Sequence, residues 1–178
     1  TLAARNKISP DDYICLDCKP GTWAQAGDKD CTPCAPGFYQ SQSAAATCIA
    51  CMPGKYTNSV AGAKTQDACL DCVPGTYSSA FGASSLSSCG QCPPGKASNV
   101  VGASTASVCR DCSSGQYAPP ASVECTDCVT GTYTSSAGGA GVCIQCSPGK
   151  YGDKRIEPNG CVSCPLGWKR SEEDTDLT

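Results

Sequence analysis

Apolar residues nowhere recur with the period of a helix along this chain. What recurs instead is a mixed unit: a pair of cysteines, a tight turn, an aromatic, then a small and polar tract. The cysteines stand at 15, 18, 31, 34, 48, 51, 69, 72, 89, 92, 109, 112, 125, 128, 143, 146, 161 and 164, forming nine Cys-x-x-Cys pairs. First cysteines are 16 to 21 residues apart, so the chain is a repeat array. Three residues after each second cysteine stands a glycine: Gly21, Gly37, Gly54, Gly75, Gly95, Gly115, Gly131, Gly149 and Gly167. Proline precedes six of them, and Ser114, Thr130 and Leu166 precede the others. Pro-Gly predicts a type II turn, with Pro presetting φ near −65° and Gly accepting the positive φ that follows. Keeping Gly where Pro is lost makes positive φ the stricter requirement.

Two residues past the turn comes an aromatic in seven units: Trp23, Tyr39, Tyr56, Tyr77, Tyr117, Tyr133 and Tyr151. Ala97 and Lys169 are the exceptions. An aromatic there predicts a short strand. Its ring is expected to cover the nearby disulfide and turn, giving each unit a very small core of its own; an exposed strand residue or an aromatic ligand platform are the alternatives. Each unit then runs into tracts such as Val101-Gly102-Ala103-Ser104-Thr105, whose variable length suits surface turns that tolerate insertion. The fold class predicted is small disulfide-rich repeats: an elongated rod of about nine Cys-x-x-Cys-x-Pro-Gly-x-Tyr units, each touching mainly its neighbours. Strand should stay below about a third of the chain and helix below about a tenth. Residues 1–14 enter the array, 15–164 form it, and 165–178 begin a further repeat with an acidic end.

Composition sharpens this picture. Leu, Ile, Val and Phe make up 22 of 178 residues, too few for an ordinary core, so covalent or metal staples must replace burial. There is no His, which removes His-dependent catalysis and His-ligated metals. A net charge of −3 offers no basic footprint for nucleic acid or an anionic membrane. No stretch approaches the roughly 18 apolar residues of a membrane span. The start at Thr1, without a signal peptide, suggests a mature or excised piece of a secreted or surface protein.

Three chemistries compete for the cysteine pairs. Zinc knuckles use two pairs per metal, but nine is odd and ligation does not need the Pro-Gly-Tyr decoration. Thioredoxin-like exchange needs one motif at a helix start. A structural disulfide framework in an oxidising compartment fits best, with no cofactor. Connectivity is not fixed by sequence. A bond within Cys-x-x-Cys closes a tiny loop, whereas bonding each second cysteine to the next first cysteine closes loops near 15 residues, each stabilising by roughly 3 kcal/mol.

Cys-x-x-Cys-x-Pro-Gly-x-Tyr, then a Gly-Ala-Ser/Thr stretch and the next pair, resembles the cysteine-rich repeat of ephrin-receptor ectodomains. It is also similar to the first module of tumour necrosis factor receptor repeats. Cys72-Val73-Pro74-Gly75-Thr76-Tyr77 to Cys89-Gly90-Gln91-Cys92 is the closest copy, and the resemblance covers about Cys15 to Trp168. It implies an extracellular rod and the ladder Cys18–Cys31, Cys34–Cys48, Cys51–Cys69, Cys72–Cys89, Cys92–Cys109, Cys112–Cys125, Cys128–Cys143 and Cys146–Cys161. That ladder strands Cys15 and Cys164. Each is expected to bond an adjoining repeat of a longer parent or a neighbouring copy, and not the other.

Asp17, Asp71, Asp111 and Asp127 recur between paired cysteines without a calcium-loop signature, and read as solvated turn carboxylates. No Asn-x-Ser/Thr sequon exists, while the many Ser and Thr offer sites for O-linked glycans on composition alone. The acidic run Glu172-Glu173-Asp174 reads as a solvated face. No catalytic constellation appears, so an enzyme is not expected. The expected role is a structural or adhesive segment of an extracellular or cell-surface protein, a stiff spacer that assembles with copies of itself or other extracellular structural proteins. The alternative is a receptor ectodomain binding a protein ligand along the rod, which an exposed apolar patch on one or two repeats would favour.

Overall fold

Each turn after a cysteine pair closes with a backbone hydrogen bond, from Thr22 N to Lys19 O (3.1 Å) at the first to Trp168 N to Pro165 O (3.0 Å) at the last. All nine turn glycines take φ between 76° and 93°. The turn reverses the chain into a two-residue or three-residue strand, which pairs antiparallel with the residues between the next two cysteines. A computed structural model describes residues 15–58, 61–135, 139–152 and 160–169. It contains eight such hairpins, among them Lys55–Thr57 with Cys69–Asp71, Thr76–Tyr77 with Gly90–Gln91, and Lys96–Ala97 with Arg110–Asp111. The expected segment 1–14 and the acidic run 172–174 lie outside the described residues.

Eight disulfides join each second cysteine to the first of the next pair: Cys18–Cys31, Cys34–Cys48, Cys51–Cys69, Cys72–Cys89, Cys92–Cys109, Cys112–Cys125, Cys128–Cys143 and Cys146–Cys161. Their loops are numbered here as units 1 to 8. In units 3 to 5, with separations of 17 or 18, the extra residues form single 3-10 turns at Gln66–Ala68, Leu86–Ser88 and Ala106–Val108. These turns cover the first cysteines Cys69, Cys89 and Cys109, all buried, while Cys31 in the 13-residue unit 1 is exposed. Length variation that reads in sequence as tolerant loop is thus partly a structured lid on the disulfide.

The units are tied into a continuous stack through the residue after each aromatic position. Gly75 N donates to Ser98 O (2.7 Å), and Ser98 N donates to Ser122 O (3.1 Å) in the unit beyond. Gly54, Ser78 and Ala103 repeat this one unit earlier, and Gly95, Ala118 and Ala140 one unit later. In units 3 and 7 a threonine hydroxyl takes over as acceptor, with Gly37 N to Thr57 Oγ1 at 2.6 Å and Gly115 N to Thr134 Oγ1 at 3.1 Å. The turn glycine of each of the eight hairpins also accepts through its carbonyl from the second cysteine of that hairpin, as Gly54 O does from Cys72 N (2.8 Å). From Gly21 to Gly115 both backbone groups of the turn glycine are therefore spent, which a buried peptide requires.

Contacts reach further than adjacent units. A Cβ on Gly37 in unit 2 would lie 2.0 Å from Gly82 O in unit 4, and one on Gly75 in unit 4 would lie 2.1 Å from Ala121 O in unit 6. The expectation of mainly nearest-neighbour contact is corrected to this extent: every loop tip from unit 3 to unit 7 lies over the turn two units back. Gly21, Gly37, Gly54, Gly75 and Gly95 are thus needed for space as well as for φ.

The expected private core is corrected as well. Tyr56 of unit 3 is buried together with Cys72, Cys89 and Ala83 of unit 4, and Ala97 of unit 5 with Cys112 and Ala118 of unit 6, Cys125 packing against them. The aromatic position covers the following unit's bridge, because the stack sets that bridge beneath it. Trp23, Tyr39, Tyr77, Tyr117 and Tyr133 are half-buried, and Tyr151 is 39 % exposed. Among the described residues, the buried hydrophobic positions are Cys, Ala and this one Tyr56. The core is a column of disulfides and methyl groups.

Candidate interaction surface

The hairpins fix what the surface can offer. Antiparallel register puts Lys55 opposite Asp71 and Lys96 opposite Asp111, and both pairs close as salt bridges at 2.6 and 2.7 Å. Gln116 Nε2 donates to Asp127 Oδ1 at 3.1 Å in the next hairpin. Three of the four recurring aspartates are thus cross-strand partners. Exposed pairs of this kind contribute under about 1 kcal/mol each. Among the described residues no group of three or more His, Cys, Asp or Glu is placed to hold a metal ion. Cys15 is exposed and Cys164 half-buried, both with free thiols.

Exposed apolar side chains are spread along the column, from Leu16 through Val129 and Val142 to Trp168, and the loops of units 4 to 6 carry five of them. Phe81 and Val101 stand just before the loop-tip glycines Gly82 and Gly102, and are 65 % and 61 % exposed. Val100, Val123 and Leu86 are also exposed. Val100 and Val123 border an open cavity of about 440 Å³ between units 5 and 6, whose wall includes Ala97, Ser98, Ser107, Val108, Arg110 and Glu124. A second, smaller one of about 250 Å³ lies between Trp23 and Phe38.

The sequence pointed to the turn glycines, the aromatics and the bridges, and the structure brings these together in the column. It missed the relay position after each aromatic. The signal there was a small or polar residue in fixed register: Gln40, Thr57, Ser78, Ser98, Ala118 and Thr134, all buried. It also left Ala97 as a mere exception, although the larger cavity opens beside it.

Disulfide-laddered hairpins stacked in one column define a cysteine-rich extracellular repeat module. The family model described as tyrosine-protein kinase ephrin type A/B receptor-like matches residues 21–69 and 115–156, about half the chain, and the chain belongs to that family. It is an extracellular, disulfide-stabilised segment. No curated protein matches it. No helix among the described residues is long and apolar enough to cross a membrane.

Proposed function

We propose that this segment is a stiff spacer in a secreted or cell-surface protein, structural or adhesive in role, acting by holding and assembling rather than by catalysis. The observation that carries this reading is the hydrogen-bond relay from Gly21 in unit 1 to Ala140 in unit 7, backbone to backbone except where the Thr57 hydroxyl accepts from Gly37 N. Every unit is clamped by a disulfide and units 1 to 7 are hydrogen-bonded each to the next, so bending at one of these joints strains contacts two units away. A surface of repeated Ser, Ala and Gly with low net charge suits packing against copies of itself, and a head-to-tail contact that does not close generates a filament. Small-angle scattering tests the spacer: the radius of gyration should lie well above the roughly 16 Å of a compact domain of this length. Electron microscopy of concentrated protein tests assembly, and strictly monomeric particles overturn it.

A receptor segment that binds a protein ligand is the second reading. The exposed Phe81, Val101 and Val123 in the loops of units 4 to 6 favour it, since they offer a partner apolar surface.

A further inference from the structure

The hairpin of unit 5 is the one described hairpin that lacks an aromatic at the covering position. Ala97 stands there, and its cross-strand partner is Arg110, where Tyr77 has Gly90 and Tyr56 has Leu70. A second omission coincides with the first. The bridge that this position covers is Cys112–Cys125 of unit 6, whose 13-residue loop has no 3-10 lid. Where unit 3 supplies a ring and unit 4 a lid, Cys89 is buried; Cys125 stays partly open. Other lidless loops follow a unit with a ring, unit 2 after Trp23 and unit 7 after Tyr117; Cys48 and Cys143 there are half-buried like Cys125, and the cavity beside Trp23 is smaller, about 250 Å³. Both omissions border the cavity of about 440 Å³, lined by Ala97 and Cys125, which is within the roughly 300–1,000 Å³ range of ligand pockets.

The walls say what fits. Ala97, Val100, Val108 and Val123 supply the apolar part of a mixed wall, Ser98, Asn99 and Ser107 its neutral polar part, and Arg110, Glu124 and the Lys96-paired Asp111 its charge. The ion pairs of the described residues use Lys55, Asp71, Lys96 and Asp111, and leave Arg110 and Glu124 unpaired. A guanidinium stacks favourably on an aromatic face, and a carboxylate accepts from a phenolic O–H. An aliphatic side chain would use neither group.

We infer that the cavity between units 5 and 6 is a receptor site for a tyrosine side chain of a partner protein, which supplies from outside the ring that Ala97 omits. This deepens the receptor reading and leaves the spacer reading intact. Scattering and imaging decide the spacer, whereas the experiment below reads the cavity alone.

The test is titration of the intact, disulfide-bonded chain with N-acetyltyrosine amide, followed through backbone amide NMR. Saturable shifts are expected at Ser98, Val100, Val123 and Glu124, with half-saturation in the millimolar range suited to a single side chain, and none with N-acetylvaline amide. Ala97→Tyr, which fills the cavity from within, should weaken binding at least tenfold. Since a new ring can fail to seat, Val123→Glu at a half-exposed wall position should do the same without touching the column. Glu124→Gln should weaken the tyrosine probe about threefold and leave N-acetylphenylalanine amide unchanged. Shifts that do not saturate, that spread over all units, or that valine amide reproduces would overturn the inference. So would undiminished binding in Val123→Glu or in a folded Ala97→Tyr. Movement of the same signals on dilution without probe would show the cavity to be filled by a second copy instead.

Discussion

The Cβ that Gly54 lacks would lie 2.1 Å from the carbonyl oxygen of Gly102, forty-eight positions on and two units up the column. Gly149 has nearly the same backbone, φ +79° against +84°, with no atom of the described residues within 4 Å of its missing Cβ. The two positions separate strain from crowding. Alanine at either costs about 1–2 kcal/mol for left-handed backbone. Gly54→Ala must also push the unit 5 loop away. Chemical denaturation without reductant should show Gly149→Ala losing about 1–2 kcal/mol and Gly54→Ala more than twice that. Equal losses would contradict the two-unit contact.

Thr57 and Ser78 occupy the same relay position in adjacent units and should respond oppositely. Thr57 is fully buried, and its hydroxyl accepts from Gly37 N. Thr57→Val keeps the shape and orphans that N–H, at a cost of about 1–3 kcal/mol. The Gly37 amide should then exchange with deuterium at least tenfold faster. The Ser78 hydroxyl is buried without a hydrogen-bond partner, and its backbone alone carries the relay. Ser78→Ala should leave stability unchanged or raise it by up to about 1 kcal/mol, and Ala118 already fills the equivalent place.

Burial ranks the bridges by accessibility. Cys18–Cys31 pairs a buried with an exposed residue, whereas both partners of Cys72–Cys89 are buried. Limited thiol reductant followed by alkylation and mass mapping should label Cys31 well before Cys89, because exchange needs access of the attacking thiolate. The same mapping without reductant should return the eight ladder pairs.

Excising Leu86–Ser88 shortens the unit 4 loop from a separation of 17 to the 14 found in unit 2. The chain should still fold, since unit 2 closes its hairpin at that length. Cys89 should lose its cover and join the early group in the reduction experiment. A deletion that unfolds the protein would mean the 3-10 turn holds the stack rather than shielding the bridge.

Much of each unit was legible before any coordinates. A Pro-Gly step two residues ahead of a Tyr carries its turn and strand in local backbone preference. A second cysteine 13 to 18 residues from the next first cysteine fits the span of one hairpin. Six of the nine turns keep Pro and all keep Gly, and the structure has positive φ at every one. Those features depend on residues close in sequence, so a single repeat displays them.

How one unit sits on the next is another matter. The rotation and rise between hairpins accumulate from many small backbone angles, and no side chain in a single repeat encodes them. Only the folded column decides that Tyr56 covers Cys72–Cys89 instead of its own bridge, and that Gly54 lies beneath the Gly102 loop. It alone makes Ser98 a link between Gly75 and Ser122. The same stacking turns Ala97 from a gap in a pattern into the wall of a cavity, because it sets the lidless loop of unit 6, with Val123 and Glu124, across from it.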